Sequence, residues 1–388
     1  MTRTSFRLPF TIFGIPVQLD LSFLLVLPLL AWIIGSQLQR FVEAFSVDID
    51  PHTLPGGWTA YGVGLLAALG LFASILIHEL GHSLVGRIFH LRIRSITLWV
   101  LGGMAQFERI PRHHGVEAVM AIAGPITSLV VGGTAALVLL WVPAEWPATR
   151  FLLTYLSYMN VILAAFNLLP ALPLDGGRVL RSLLALRLPY LRATQICATL
   201  SRGLALLMGL FGLLVVNVWL ILLAFFIYMA VGGEYQYATV TTLLRGIRVA
   251  DVMTREVHTV PPDMPVEELI QKMFAERFLA YPVVDTGGRP IGFATLQDVR
   301  RVRHSGADPA GLTVADIMSR EFERVHPDQS ALDAFQRILR TPTGRLLVVD
   351  DFGQLAGLVS KTDLLRALQV RTLEREWEGE SLSRTGRT

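Results

Sequence analysis

Apolar residues gather into long uncharged runs up to about Glu234, and from Arg245 onward the chain becomes an ordinary mixture of apolar and charged positions. The runs predict helices at about 21–37, 59–86, 118–142 and 151–174. Each is close to or above the roughly 20 residues that a bilayer-spanning helix requires. A fifth region, Gly203–Gly233, holds 31 uncharged residues. At 1.5 Å per residue this is long for a single crossing of about 30 Å. We divide it near Asn217 and begin the fifth helix near Ala193, which carries Arg202 inside a helix. One long tilted helix is the alternative.

Two stretches break this pattern. LRIRSITLWVLGGMAQFERI, between the second and third runs, is rich in β-branched and aromatic residues around Gly102-Gly103. It predicts a membrane-associated β-hairpin at 92–109, with a plain amphipathic loop as the alternative. The N-terminus, MTRTSFRLPF, is basic and leads into apolar Leu21–Gly35 like a signal peptide. No A-x-A-like site follows and Asp20 abuts the run, so a retained first helix is expected.

Arginines orient the helices. Arg87, Arg92, Arg94, Arg109 and Arg112 follow the second helix, and Arg178, Arg181, Arg187 and Arg192 follow the fourth. The connections at 38–58 and 143–150 hold only Arg40 and Arg150. The arginine-rich sides are therefore expected to be cytoplasmic, with both termini and the C-terminal half on that side of a multi-pass cell-membrane protein.

Composition agrees: 52% of residues are hydrophobic and 17% charged, with a mean hydropathy of +0.51. A net charge of +3 is too small at this length to suggest a nucleic-acid partner. Cys197 is the single cysteine, which excludes an internal disulfide and a cysteine-based zinc site.

The end of the second run carries SILIHELGHSLVGR, residues 74–87. Polar and ionisable side chains inside a membrane are costly and call for a partner or a use. In H-E-x-x-H on a helix, the histidines at i and i+4 share a face and can bind one ion, while the glutamate can take a proton from water. Here these residues are His78, His82 and Glu79. Two histidines hydrogen-bonded to neighbouring helices are the plain structural reading. A catalytic zinc needs a third protein ligand, and the best candidate is Asp175 in FNLLPALPLDGGRVL. There two prolines and Gly176-Gly177 are expected to break the fourth helix at the depth of HELGH. An Asp-Gly-Gly helix stop accounts for Asp175 equally well on its own.

HELGH, Asn167-x-x-Pro170-x-x-Pro173-Leu174-Asp175-Gly176-Gly177, and AGP at 123–125 together resemble the site-2 protease family over residues 1 to about 240. These are zinc intramembrane proteases. The resemblance implies His78, His82 and Asp175 as ligands of one Zn2+ and Glu79 as general base. It makes Asn167 an active-site helper, holding the substrate backbone or the oxyanion, and 92–109 the family's membrane-embedded hairpin. The implied substrate is a transmembrane-helix protein. Its scissile bond must unwind locally, because a helical peptide bond has its groups bonded and shielded. The hairpin edge could receive the unwound segment as an added strand.

The C-terminal half is a duplication. VADVMTRE at 249–256 returns as VADIMSRE at 314–321, and the shift of 65 also relates Gly292 to Gly357 and Asp298 to Asp363. A constant offset means a repeated unit, read here as strand, helix, strand, strand, helix. The copies resemble a tandem pair of CBS domains, at 245–305 and 310–372. That resemblance implies a soluble α/β module whose clefts bind an adenine nucleotide such as ATP or AMP. Thr295 and Ser360 would lie near phosphate, with Asp298 and Asp363 on ribose. Helix caps are the simpler role for the same residues. A homodimer through the pair is a further expectation, and 373–388 reads as a short, disordered polar tail.

The expected whole is a polytopic α-helical membrane domain of about six transmembrane helices with a membrane-associated β-hairpin, followed by a soluble α/β tandem CBS module. The rival is a non-catalytic scaffold or a CBS-gated transporter. A transport path would spread polar residues along several helices, whereas here they cluster near HELGH.

Overall fold

A computed structural model describes residues 5–44, 49–100, 102–107, 114–305, 311–339, 341 and 343–385. It separates into two compact units, Met1–Gln236 and Tyr237–Thr388.

The first unit begins with a feature absent from the sequence expectations. Strands β1 (Ser5–Ile12) and β2 (Ile15–Asp20) form an antiparallel hairpin. Its turn residues Phe13 and Gly14 have φ of 50° and 74°, the left-handed pair that a tight two-residue hairpin turn needs. Helix α1 (Leu21–Ser36) follows, capped by the Asp20 side chain. It meets α2 (Leu38–Ala44) at a 65° bend, so the first apolar run is a broken helix rather than one straight span.

Helix α3 (Gly57–Ile88) is the longest element, at 32 residues, and packs against α1. Strands β3 (Ile93–Trp99) and β4 (Gly102–Phe107) form the expected hairpin. They are part of a four-stranded sheet in the order β1-β2-β3-β4, with β2 and β3 parallel. Leu101, Glu108 and Arg109 of the expected hairpin, and Arg112 beyond it, lie outside the described residues. Ile15 and Ile96 of the sheet pack on Leu80 of α3, so the sheet lies against the helix that carries HELGH.

Helices α4 (His114–Leu139) and α5 (Pro147–Asn167) pack against each other and against α3. The fourth helix was expected to run through 174, but α5 ends at Asn167 and Asp175 opens a separate helix, α6 (Asp175–Leu184). The reason is steric. A Cβ on Gly176 would come within 3.0 Å of Leu168 O, and one on Gly177 would do so against Ala171, because the turn between the helices folds back over their junction. The glycine pair therefore permits a tight turn onto a helix start. Leu172 N donates to Ser201 Oγ at 2.7 Å, tying this turn to the next helix.

Helices α7 (Tyr190–Leu214) and α8 (Val218–Leu243) are distinct, divided beside Asn217 as expected, and Arg202 is exposed on α7. Among the described residues five helices are long and apolar enough to cross a membrane, or six if α1 and α2 count as one broken span. Large apolar side chains such as Leu206, Leu213, Trp219 and Phe225 are exposed on them, as a lipid-facing surface requires.

In the second unit the repeat becomes an approximate two-fold. The first copy holds α9 (Val266–Glu276), β5 (Ala280–Val284), β6 (Pro290–Thr295) and α10 (Leu296–Ser305). The second holds α11 (Val314–Ile317), β7 (Arg324–Val325), α12 (Ala331–Ile338), β8 (Arg345–Val349), β9 (Leu355–Ser360) and α13 (Lys361–Thr385). Val249 N donates to Gln329 O at 2.8 Å, and its repeat mate Val314 N donates to Met264 O at 2.9 Å. Thr254 bridges Leu358 just as Ser319 bridges Phe293. Each copy thus lends a bridging segment to the other's sheet. Gly292 and Gly357 recur because Ser319 and Thr254 cross over them, where a Cβ would fall within 3.0 Å of the partner carbonyl. The segment from 373, expected to be disordered, continues α13 as far as Thr385. Its backbone simply extends the last helix of the repeat.

Candidate metal centre

His78 and His82 sit one turn apart on α3, 4% and 8% exposed, and both imidazoles turn away from the surface. Their outer nitrogens are bonded to α4. His82 Nδ1 lies 2.7 Å from Met120 O, and His78 Nδ1 lies 2.8 Å from Ser128 Oγ. A carbonyl can only accept, so His82 carries its proton on Nδ1 and presents the Nε2 lone pair inward. Asp175, 6% exposed, enters from the first turn of α6, where a carboxylate is favoured by the helix N-terminus.

The three inward atoms form a nearly equilateral triangle. His78 Nε2 to Asp175 Oδ2, His82 Nε2 to Asp175 Oδ2, and His78 Nε2 to His82 Nε2 are each 3.2 Å. Ligands about 2.0–2.1 Å from a tetrahedral zinc would lie roughly 3.3 Å apart, so this donor set fits such an ion. Among the described residues, these three form the one histidine and carboxylate cluster of that kind.

Gly124 closes one side. A Cβ there would fall within 3.0 Å of both His82 Nε2 and His78 Nε2. Glu117, Met120, Gly124 and Ser128, at spacings of three, four and four, line one stripe of α4. Met120 and Ser128 orient the histidines, Gly124 leaves room for them, and Glu117 is bonded by buried Arg181 of α6. The sequence reading marked Gly124 through AGP but missed Ser128, Met120 and the Glu117–Arg181 pair. The two charges bordering apolar runs were the available signal.

Glu79, one residue past His78, is rotated about 100° around the helix and so leaves the ligand face. It is half-buried, and its Oε2 accepts from Ala105 N of β4 at 3.1 Å. Asn167 ends α5, and its Nδ2 donates to Leu163 O of its own helix at 3.0 Å. The chain thus gathers His78, His82 and Asp175 at one point, sets Glu79 against the hairpin, and ties the Asn167 amide to its own helix.

In the second unit Thr295 ends β6 and Asp298 lies in the first turn of α10. Thr295 N and Oγ1 both donate to Asp298 Oδ2, at 2.9 and 2.5 Å. Ser360 and Asp363 repeat this at α13, at 2.9 and 2.6 Å. Both pairs therefore act as helix caps. Asp298 is 4% exposed and also pairs with Arg301, while Asp363 is half-buried and accepts from Thr254 Oγ1.

The family model for peptidase family M50 matches residues 66–145 and 143–210, and that for the CBS domain matches 249–305 and 314–370. Zinc metalloprotease MJ0392 of Methanocaldococcus jannaschii is 33% identical over 367 residues, covering 95% of this chain and 97% of that protein. The chain belongs to peptidase family M50. It is a site-2 protease-family membrane protein with a tandem CBS pair. The solved site-2 protease from Methanocaldococcus jannaschii is 34% identical and covers 60% of this chain and 95% of that one, with a TM-score of 0.42. The CBS-pair protein CBSX2 from Arabidopsis thaliana is 25% identical, over 33% of this chain and 98% of that one, with a TM-score of 0.30. For an M50 chain, the buried triangle falls within the matched peptidase segment.

Proposed function

We propose that this chain is an intramembrane zinc endopeptidase that cuts a peptide bond within or near a transmembrane segment of another membrane protein. The observation that carries the reading is the 3.2 Å triangle of His78, His82 and Asp175, beside a glutamate on the adjoining helix face. The zinc metalloprotease name of a relative that matches nearly the whole chain supports the choice of metal.

His78, His82 and Asp175 would hold one zinc ion. When bound, zinc supplies Lewis acidity, which acidifies water and polarises a carbonyl. Met120 O and Ser128 Oγ keep the two imidazoles in the orientation that a ligand needs. Glu79 takes the proton of the attacking water at a carboxylate oxygen and delivers it to the leaving amine. The Ala105 N–H steadies that carboxylate. Asn167 holds the substrate backbone or the oxyanion once its amide leaves Leu163 O.

The substrate must unwind locally to expose its scissile bond, and β4, the last strand of the sheet, offers an edge for an extended segment. The cytoplasmic face is assigned to HELGH, both termini and the CBS pair by the arginine bias. The CBS pair would bind an adenine nucleotide near Thr295, Asp298, Ser360 and Asp363 and so adjust the cleavage rate.

Zinc per purified chain tests the core of this reading without a known substrate. Wild type should hold about one zinc, in line with a single catalytic site, and His82→Ala and Asp175→Ala should each lose it. A gently purified wild type that neither holds nor takes up zinc would overturn the reading.

A further inference from the structure

A second polar cluster, buried at Arg181 and Glu117, lies on the elements that carry the metal ligands and their supports. Arg178 and Arg181 project from α6, Glu117 from α4 and Glu234 from α8. Arg181 Nε donates to Glu117 Oε1 at 3.0 Å, and Nη2 of the same guanidinium donates to the same oxygen. Arg181 Nη1 lies 3.8 Å from Glu234 Oε2, and Arg178 Nη2 lies 3.4 Å from Glu234 Oε1. Arg181 is 4% and Glu117 8% exposed. Surface ion pairs are worth little, but charges this deeply buried are costly unless paired, so their removal disturbs the elements around them.

What distinguishes this cluster is where its members sit. Arg181 is six residues after Asp175 on a helix of only ten residues. Leu180 and Leu184 of this helix pack beside Cys197 and Ala205, while Arg181 supplies its buried charged tie to α4. Glu117 is three residues before Met120, on the α4 stripe that orients His82, receives both imidazoles at Gly124 and orients His78 through Ser128. Arg181–Glu117 therefore joins the helix of the third ligand to the stripe that aims the other two. A planar guanidinium with two nitrogens on one oxygen also restricts rotation between its helices more than a single flexible contact would.

We infer that Arg181 and Glu117 are positioning residues of the metal centre, holding Asp175 at ligand distance from His78 and His82. The inference rests on the zinc reading above and adds residues outside the HELGH and Asp-Gly-Gly motifs. It predicts a change in metal affinity, which a role in stability alone would not produce in protein that remains folded.

The test is zinc affinity by chelator competition on the purified full-length chain, for wild type, Arg181→Met, Arg181→Lys and Glu117→Gln. Folding of each is checked by thermal unfolding. Loss of a residue that supports metal ligands typically costs about 10–100-fold in affinity. That loss is expected for folded Arg181→Met and Glu117→Gln, with Arg181→Lys recovering part of it by keeping the charge without the planar fork. Folded Arg181→Met and Glu117→Gln with wild-type zinc affinity and only a lower melting temperature would overturn the inference. If Arg181→Met and Glu117→Gln do not fold, Arg181→Lys decides: weakened zinc binding supports the inference and wild-type binding overturns it. A wild type that binds no zinc would instead fail the functional reading itself, so the two failures are distinguishable.

Discussion

The Glu79 carboxylate of α3 accepts a hydrogen bond from the Ala105 backbone N–H of β4, with Oε2 and N 3.1 Å apart. The two residues are 26 apart in the chain, and only the packing of the sheet on α3 joins them. Gly103, two residues earlier on the same strand, lies against the Glu79 stem, where a Cβ would crowd Cγ. The hairpin is therefore a wall of the site, beside the edge at which we propose substrate is received.

Glu79→Gln follows directly. A glutamine carbonyl can still accept from Ala105 N–H, and the variant changes none of the three proposed zinc ligands, so zinc content should match wild type. Cleavage of a membrane-protein substrate should fall by about 10²–10⁴, the usual contribution of a general base. Wild-type turnover in zinc-loaded Glu79→Gln would remove Glu79 from the chemistry.

Gly124→Ala should damage the metal centre, because its new Cβ would meet both Nε2 atoms of the histidine pair. A fall in zinc affinity on the order of 10–100-fold is expected, similar to loss of a ligand's support. Gly115→Ala on the same helix, where a Cβ meets nothing within 4 Å, should bind zinc normally. Equal affinity in both variants would show that the close approach at Gly124 is relieved without cost.

The two-fold of the second unit predicts paired effects. Gly292→Ala and Gly357→Ala each press a methyl against the other copy's crossing segment. Overpacking of this kind costs about 1–3 kcal/mol. The unfolding transition of the CBS unit, followed in the full chain, should shift down by similar amounts in the two variants. A shift in only one would mean that the copies differ in how tightly they close.

Adenine nucleotide should change the cleavage rate, and Asp298→Ala with Asp363→Ala should abolish that change. Because both carboxylates also cap helices, the double variant should lose stability as well, about 0.5–2 kcal/mol per cap. Cleavage rates with and without nucleotide are therefore compared at a temperature where the variant is folded. A response equal to that of wild type would place the sensor elsewhere.

Much was settled by the sequence alone, because its signals are local or periodic. The length of the uncharged runs is a property of neighbouring residues, so the spans emerged, including the break beside Asn217. His78 and His82 are one helical turn apart, so their common face needed no tertiary information. The offset of 65 exposed the duplication in the same way. Other features needed the folded chain. The N-terminal hairpin is stabilised by β2 pairing with β3, and Val17 meets Ile96 across 79 residues of chain. The role of Gly176-Gly177 depends on where Leu168 and Ala171 come to lie, which turned an expected helix stop into a helix start. Above all, the sequence could offer Asp175 as a ligand but could not bring it to the histidines. That took α6 packing against α4, Arg181 joining Glu117, and a glycine on α4 small enough to let both imidazoles in. Distances of about 3 Å between residues nearly a hundred positions apart depend on the packing of whole helices, and packing is set by all the side chains between them.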